Sequence, residues 1–137
     1  MANTKPIGVA FEDQNIIGAD YVYSAGEIGY SAAGQGTVTQ ATSKSTGVTL
    51  NKSAGQITMN NAALAGATAV SFTLTNSLIS AKDVIILTIG SGATATAYTV
   101  YVSSMAAGSA VITLRNLTAS TSYSEAVVIN YAIIHCA

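Results

Sequence analysis

Residues 57–76 read ITMNNAALAGATAVSFTLTN, and the second half of this stretch decides the fold. Val70, Phe72 and Leu74 fall on one side of an extended chain, and Ser71, Thr73 and Thr75 on the other. That two-residue period is the mark of a strand half buried against a core. The polar side carries hydroxyls and amides but no charge. The same sparing use of charge extends over all 137 residues: 8% are charged and 50% hydrophobic, where about 25% charged is usual for a globular domain. A chain of this length supports one domain burying roughly two thirds of its unfolded surface. So apolar a composition excludes disorder for most of the chain. Its longest apolar runs, such as VIIL at 84–87, are too short for a spanning helix. With so few charges a free monomer is poorly protected against association, so the fold is expected to hide surface in an assembly.

Working outward, composition changes near residue 36. Residues 1–36 hold six of the twelve glycines, the only proline, and four acids against one lysine, a net charge of −3. Residues 37–137 hold four bases and two acids, a net charge of +2. Glycine at this density weakens regular structure, so 1–36 reads as an extended N-terminal arm. Phe11, Ile17, Tyr21, Tyr23 and Tyr30 make it too apolar for a free tail, and they are candidate assembly contacts. From 37 to 137 a regular body follows, with strands expected at 37–42, 46–51, 55–60, 68–76, 83–90, 96–104, 108–116 and 124–135. Eight short strands separated by Gly, Ser, Thr and Asn turns indicate a sandwich or barrel.

Two strands break the alternation. In DVIILTIG the set Ile85, Leu87 and Ile89 opposes Val84 and Ile86, and in EAVVINYAIIH the set Val127, Ile129, Tyr131 and Ile133 opposes Val128, Ala132 and Ile134. A sandwich has one inner layer, so the second apolar face has to meet the arm, another subunit or another protein. Ile85, Leu87, Tyr131 and Ile133 join the candidate contacts, and a homo-oligomer is expected. A fainter pattern links ALAGATAVSFTLTNSL with SMAAGSAVITLRNLT, each a small-residue turn leading into a strand that ends in Asn.

Motifs for chemistry are few. Gly90, Gly92 and Ala95 match G-x-G-x-x-A after an apolar strand, but a dinucleotide site needs a following helix and an acid about 20 residues on. TAYTVYVSS reads as a strand, and no acid occurs between Asp83 and Glu125, so a hairpin loop is the reading. His135 and Cys136 are strand neighbours pointing to opposite faces, unsuited to act as base and thiol. Glu12, Asp13 and Asp20 could be imagined around calcium, but their spacing fits no established loop. The sequons at Asn51 and Asn116 carry no weight, because MANTKPIGVAFEDQN has neither the basic start nor the apolar run of a secretory signal. A net charge of −1 offers no footprint for nucleic acid or an acidic membrane. No enzyme activity, cofactor or metal is expected.

The pieces TQATSKSTGVTLNK, GQITMNNAALA, VSFTLTNS, ITLRNLTA and SEAVVINYAII together cover about residues 37–135. As a set this body resembles a β-rich family of virion structural proteins of tailed bacteriophages. The resemblance implies an eight-stranded antiparallel β-sandwich, jelly-roll-like, with an immunoglobulin-like sandwich as the alternative. It implies a capsid decoration or cement protein, made in the host cytoplasm and bound to the outer capsid surface of the virion. Its partners would be the major capsid protein and copies of itself, as a trimer. The alternative is a receptor- or glycan-binding fibre domain, with Tyr98, Tyr101 or Tyr123 stacking on sugars. No piece of 1–36 carries the resemblance.

Overall fold

The computed structural model describes residues 20–21 and 23–136. After a single 3-10 turn at Ala32–Gly34 the chain runs through β1 (Gln35–Thr39), β2 (Val48–Thr49), β3 (Ala54–Thr58), β4 (Ala69–Thr75), β5 (Val84–Ser91), β6 (Tyr98–Ala106), β7 (Ser109–Asn116) and β8 (Val128–Ile134). Two four-stranded sheets result, with orders β1-β3-β8-β5 and β2-β4-β7-β6. The protein is an all-β sandwich, and each expected strand is present. Two of them are shorter than the apolar pattern. The strand expected at 46–51 shrinks to Val48–Thr49, because Lys52 N–H turns back to Leu50 C=O. The strand expected at 124–135 starts at Val128, because the preceding segment is drawn into a loop cluster in which Lys44 takes the Glu125 carbonyl.

The sheets are mixed, where an antiparallel, jelly-roll-like arrangement was expected. β1 pairs β3 and β2 pairs β4 in parallel, while the pairs made by β7 and β8 are antiparallel. The cause lies in the connections. From β1 to β6 each link crosses from one sheet to the other and reverses the chain, so two successive links return a strand parallel to its predecessor. β7 then turns back on β6 as a hairpin, and β8 enters the slot between β3 and β5. The first and last strands, neighbours in a jelly roll, are separated here by β3.

Alternation places one residue set between the layers. Ile57, Phe72, Leu74, Ile85, Ile112, Leu114, Val127, Ile129, Tyr131 and Ile133 are buried there. Val70, Phe72 and Leu74 face inward, as their period requires, while Ser71, Thr73 and Thr75 are exposed. Tyr131 is a core residue whose hydroxyl donates to Lys52 C=O at 3.0 Å. Burial pushes that phenol up to about 12.

The repeated turn-and-strand pattern has a structural meaning. Its two copies are β4 and β7, antiparallel neighbours at the centre of one sheet, and the Asn closing each copy is fully buried. Asn76 accepts from Leu78 N–H and donates to Lys52 C=O. Asn116 accepts from Thr118 N–H and its hydroxyl, and donates to the carbonyls of Leu64 and Thr121. Each side chain turns the chain out of its strand and ties that exit to a second loop, which satisfies the backbone groups left by the ladder. The residues therefore staple opposite ends of one strand pair.

Candidate assembly surface

The outer face of the β1-β3-β8-β5 sheet follows from its register. Ile86, Ala132 and Ala54 form one cross-strand row, and Thr88, Asn130 and Gln56 the next. Val84 and Ile134 lie opposite one another in a third row beside Ile86. Val84, Ile86 and Ile134 are each about half exposed, at 50%, 49% and 49%. This face thus grades from an apolar end to an amide and hydroxyl end, where Gln56 donates to Asn130 at 3.0 Å. A shallow groove lined by Ala32, Gln35, Ala54, Gln56 and Asn130 continues it toward β1. No charged residue of β1, β3, β5 or β8 stands on it.

β5 is also a free edge. Ile133 donates its N–H to Ser53, and Met59 donates to Val127 C=O, which directs the odd-numbered residues of β8 toward β3. The even-numbered residues of β8 therefore bond β5 through Val84, Ile86 and Thr88. The N–H and C=O groups of Ile85, Leu87 and Ile89 point away from the sheet, and none has a backbone partner among the described residues. Proteins usually blunt such an edge with charge, proline or shortness. VIILTIGS is eight residues long with no charge and no proline, and only a register shift near Gly90 interrupts it.

The opposite sheet presents a different surface. Ser71, Thr113 and Ser103 join in a hydroxyl chain across three strands, with contacts of 2.8 and 3.0 Å. Tyr101 stands beside Thr113 on this face, partly exposed, and Arg115 is the one charge carried by its strands.

Of the residues singled out from sequence, Ile85, Tyr131 and Ile133 are core, and Leu87 packs against the core at the β5 edge. Apolar residues do occupy both faces of β5 and β8, but the residues expected to make assembly contacts are the inward set, and Val84, Ile86, Ala132 and Ile134 are the outward one. Alternation alone cannot say which of two apolar faces is inward. Tyr21 and Tyr23 are exposed, with rings stacked at 5.9 Å. Tyr30 is partly exposed and donates its hydroxyl to Ile133 C=O. Phe11 and Ile17 lie outside the described residues. Tyr98 is buried rather than available for stacking, and of the other two tyrosines named for sugar contact, Tyr101 is the more exposed.

The remaining polar groups act as ties. Asp83, buried, accepts from Ser80 N–H at 2.8 Å, Ser80 Oγ at 2.7 Å and Cys136 N–H at 3.1 Å, and its other contact is His135 Nδ1 at 2.9 Å. The Ser80 donors above all, then those at the chain end, hold this carboxyl far below the usual range. This clamp fixes the end of β8 beside the start of β5, next to Val84 and Ile134. Sequence gave no sign of it, since Asp83 and His135 are 52 positions apart.

Lys44, also buried, donates to the carbonyls of Asn60 and Glu125, each at 2.5 Å. Burial lowers its pKa against the opposing pull of Glu125. The Glu125 carboxylate accepts from Thr94 N–H and Oγ1 at the far end of β5, and those bonds hold its pKa down.

Gly90 lies in β5, and Gly92 and Ala95 lie in the arch from β5 to β6 that joins the two sheets, where a hairpin was expected. Gly92 has φ +70°, and a Cβ there would stand 2.3 Å from Ala126 C=O, so this glycine serves a tight crossing. Strand β6 follows the motif. Among the described residues no group of three or more His, Cys, Asp or Glu is placed to share a metal ion, and no helix is long and apolar enough to cross a membrane. Glu12 and Asp13 of the imagined calcium set lie outside the described residues. The fold and its surfaces define a two-layer β-sandwich with an uncharged outer face and one open apolar edge. No family model, curated protein or solved structure gives a significant match to the chain.

Proposed function

We propose that this chain is a non-enzymatic structural part of a tailed-phage virion, a decoration protein that binds the outside of the head and ties neighbouring capsid subunits together. The observation that carries this reading is the outer face of the β1-β3-β8-β5 sheet, apolar at Val84, Ile86 and Ile134 and uncharged throughout. Covering such a face desolvates no charge, and its amides and hydroxyls can bond across a wet contact at low cost. The resemblance of residues 37–135 to virion proteins supplies the setting, and the major capsid protein is the partner it implies. Stabilisation then follows by mass action. A ligand that binds only the assembled lattice adds about 2.7 kcal/mol per site at one hundred times its Kd.

The test is to strip the protein from purified particles and measure the temperature at which heads release their DNA, before and after adding it back. Bare heads are expected to open at lower temperature and to recover on re-addition. Equal opening temperatures would remove the cementing role. A fibre-head reading has one observation in its favour, the partly exposed Tyr101, on which a sugar could stack, beside the exposed hydroxyls of Ser71 and Ser103. Glycan binding lost on Tyr101→Ala would favour it.

A further inference from the structure

We infer that two copies of this chain join through β5, edge to edge and antiparallel, so that the sheets of both copies run on as one. Three features argue for a second copy as the occupant. First, the free groups match themselves. Setting Leu87 opposite Leu87 of the other copy places Ile85 opposite Ile89, and in that register the outward N–H and C=O of all three residues find partners. Registers displaced along the strand leave some of these groups without partners. Secondly, the side chains agree. Leu87 and Ile89, part-buried at the rim of the core, meet Leu87 and Ile85 of the other copy and close the open end of the apolar layer. On the outer face, Ile86 of each copy falls beside Thr88 of the other, adjoining the Val84–Ile134 row.

Thirdly, the charges flanking β5 are complementary. Lys82 is exposed in the turn just before the strand and has no side-chain partner among the described residues. The Glu125 carboxylate is held by Thr94 at the other end. Lys82 just before β5 and the Glu125 corner just beyond it put a base and an acid at opposite ends of an uncharged strand, so antiparallel pairing turns the base of each copy toward the acid of the other. The other edges are less suited. β2 has two residues, β1 has five and is preceded by the 3-10 turn, and β6 is interrupted by a register shift at Ser103. The contact is isologous and closes on two copies. It therefore gives a dimer, or an even multiple of it, in place of the trimer that the resemblance implies, and it stands whether or not the protein binds a phage head.

Sedimentation of the full chain at micromolar concentration tests this, together with two double variants on outward positions. Ile86→Lys with Thr88→Lys sets like charges against each other twice across the axis, and it is expected to raise the dimer Kd by about 100-fold or more. Ile86→Lys with Thr88→Glu sets opposite charges there and is expected to restore the dimer. A monomeric wild type, a dimeric double-lysine variant, or failure of the lysine–glutamate variant to recover would each overturn the proposal. Should the double-lysine variant not fold, hydrogen exchange on the wild type decides. The amides of Ile85, Leu87 and Ile89 should be protected at high concentration and lose protection on dilution, and exchange independent of concentration would refute the pairing.

Discussion

Replacing Asn116 by alanine should cost about twice as much stability as replacing Asn76, although the two residues are equally buried and close the two copies of one sequence pattern. The difference comes from their bonds. Asn116 makes four: to Leu64 C=O at 3.0 Å, to Thr121 C=O at 2.9 Å, and from Thr118 N–H and Oγ1 at 3.0 and 2.7 Å. Asn76 makes two through its side chain, at 2.7 and 3.0 Å. A net contribution of about 1 kcal/mol per bond gives ~4 kcal/mol for Asn116→Ala and ~2 kcal/mol for Asn76→Ala. Part of the larger loss is local. Leu64 and Tyr123 form a bridge between two loops, and the Asn116 amide is what ties both loops to the end of β7. The seven-residue ladder between the two Asn residues spans about 24 Å. The double variant should therefore lose the sum of the single effects. Urea denaturation at fixed protein concentration reads all three values. Equal losses, or a loss below about 1 kcal/mol for Asn116→Ala, would show that the buried amides do not act as staples.

Three further outcomes follow from the same geometry. Asp83 has a folded-state pKa below its unfolded value, so its contribution to stability is present above the unfolded carboxylate range and is lost as pH falls through that range and beyond; Asp83→Asn should flatten the acid limb of a stability–pH curve, and an unchanged limb would refute the clamp. Tyr131 and Tyr98 have raised folded-state values, so above pH ~10 the unfolded chain releases protons that the folded chain keeps, and stability should fall by up to ~1.4 kcal/mol per pH unit for each; Tyr131→Phe should reduce that slope, as alkaline denaturation monitored by circular dichroism will show. Deleting residues 1–30 removes, among the described residues, hydrogen bonds to the body made by Tyr30 alone; the body should keep its cooperative melting while attachment to stripped heads weakens, and loss of cooperativity would make the arm part of the fold.

The strands were legible because most alternate with a two-residue period, and β5 and β8, which do not, are short apolar runs bounded by turn residues. VSFTLT shows the alternation most plainly, and the structure turns its hydroxyls outward as the period demands. Direction and order were not legible. Parallel pairing of β1 with β3 depends on links that cross between layers, and nothing local distinguishes such an arch from a hairpin. The candidate surface was half legible. The sequence shows apolar residues on both faces of β5 and β8, but telling the inward set of Ile85, Tyr131 and Ile133 from the outward set of Val84, Ile86 and Ile134 needed the other sheet of the sandwich. The Asp83–His135 clamp and the Lys44 tie were out of reach, since each joins residues that meet only when the sandwich closes.

Whether this sandwich is a repeated covering part of a phage head is decided by a reconstruction of the virion with the chain traced in its density. Hundreds of copies are expected on the outer surface of the head, with the uncharged face at Val84, Ile86 and Ile134 covered by a neighbour. A few copies confined to tail or fibre, or that face open to solvent on every copy, would contradict that role.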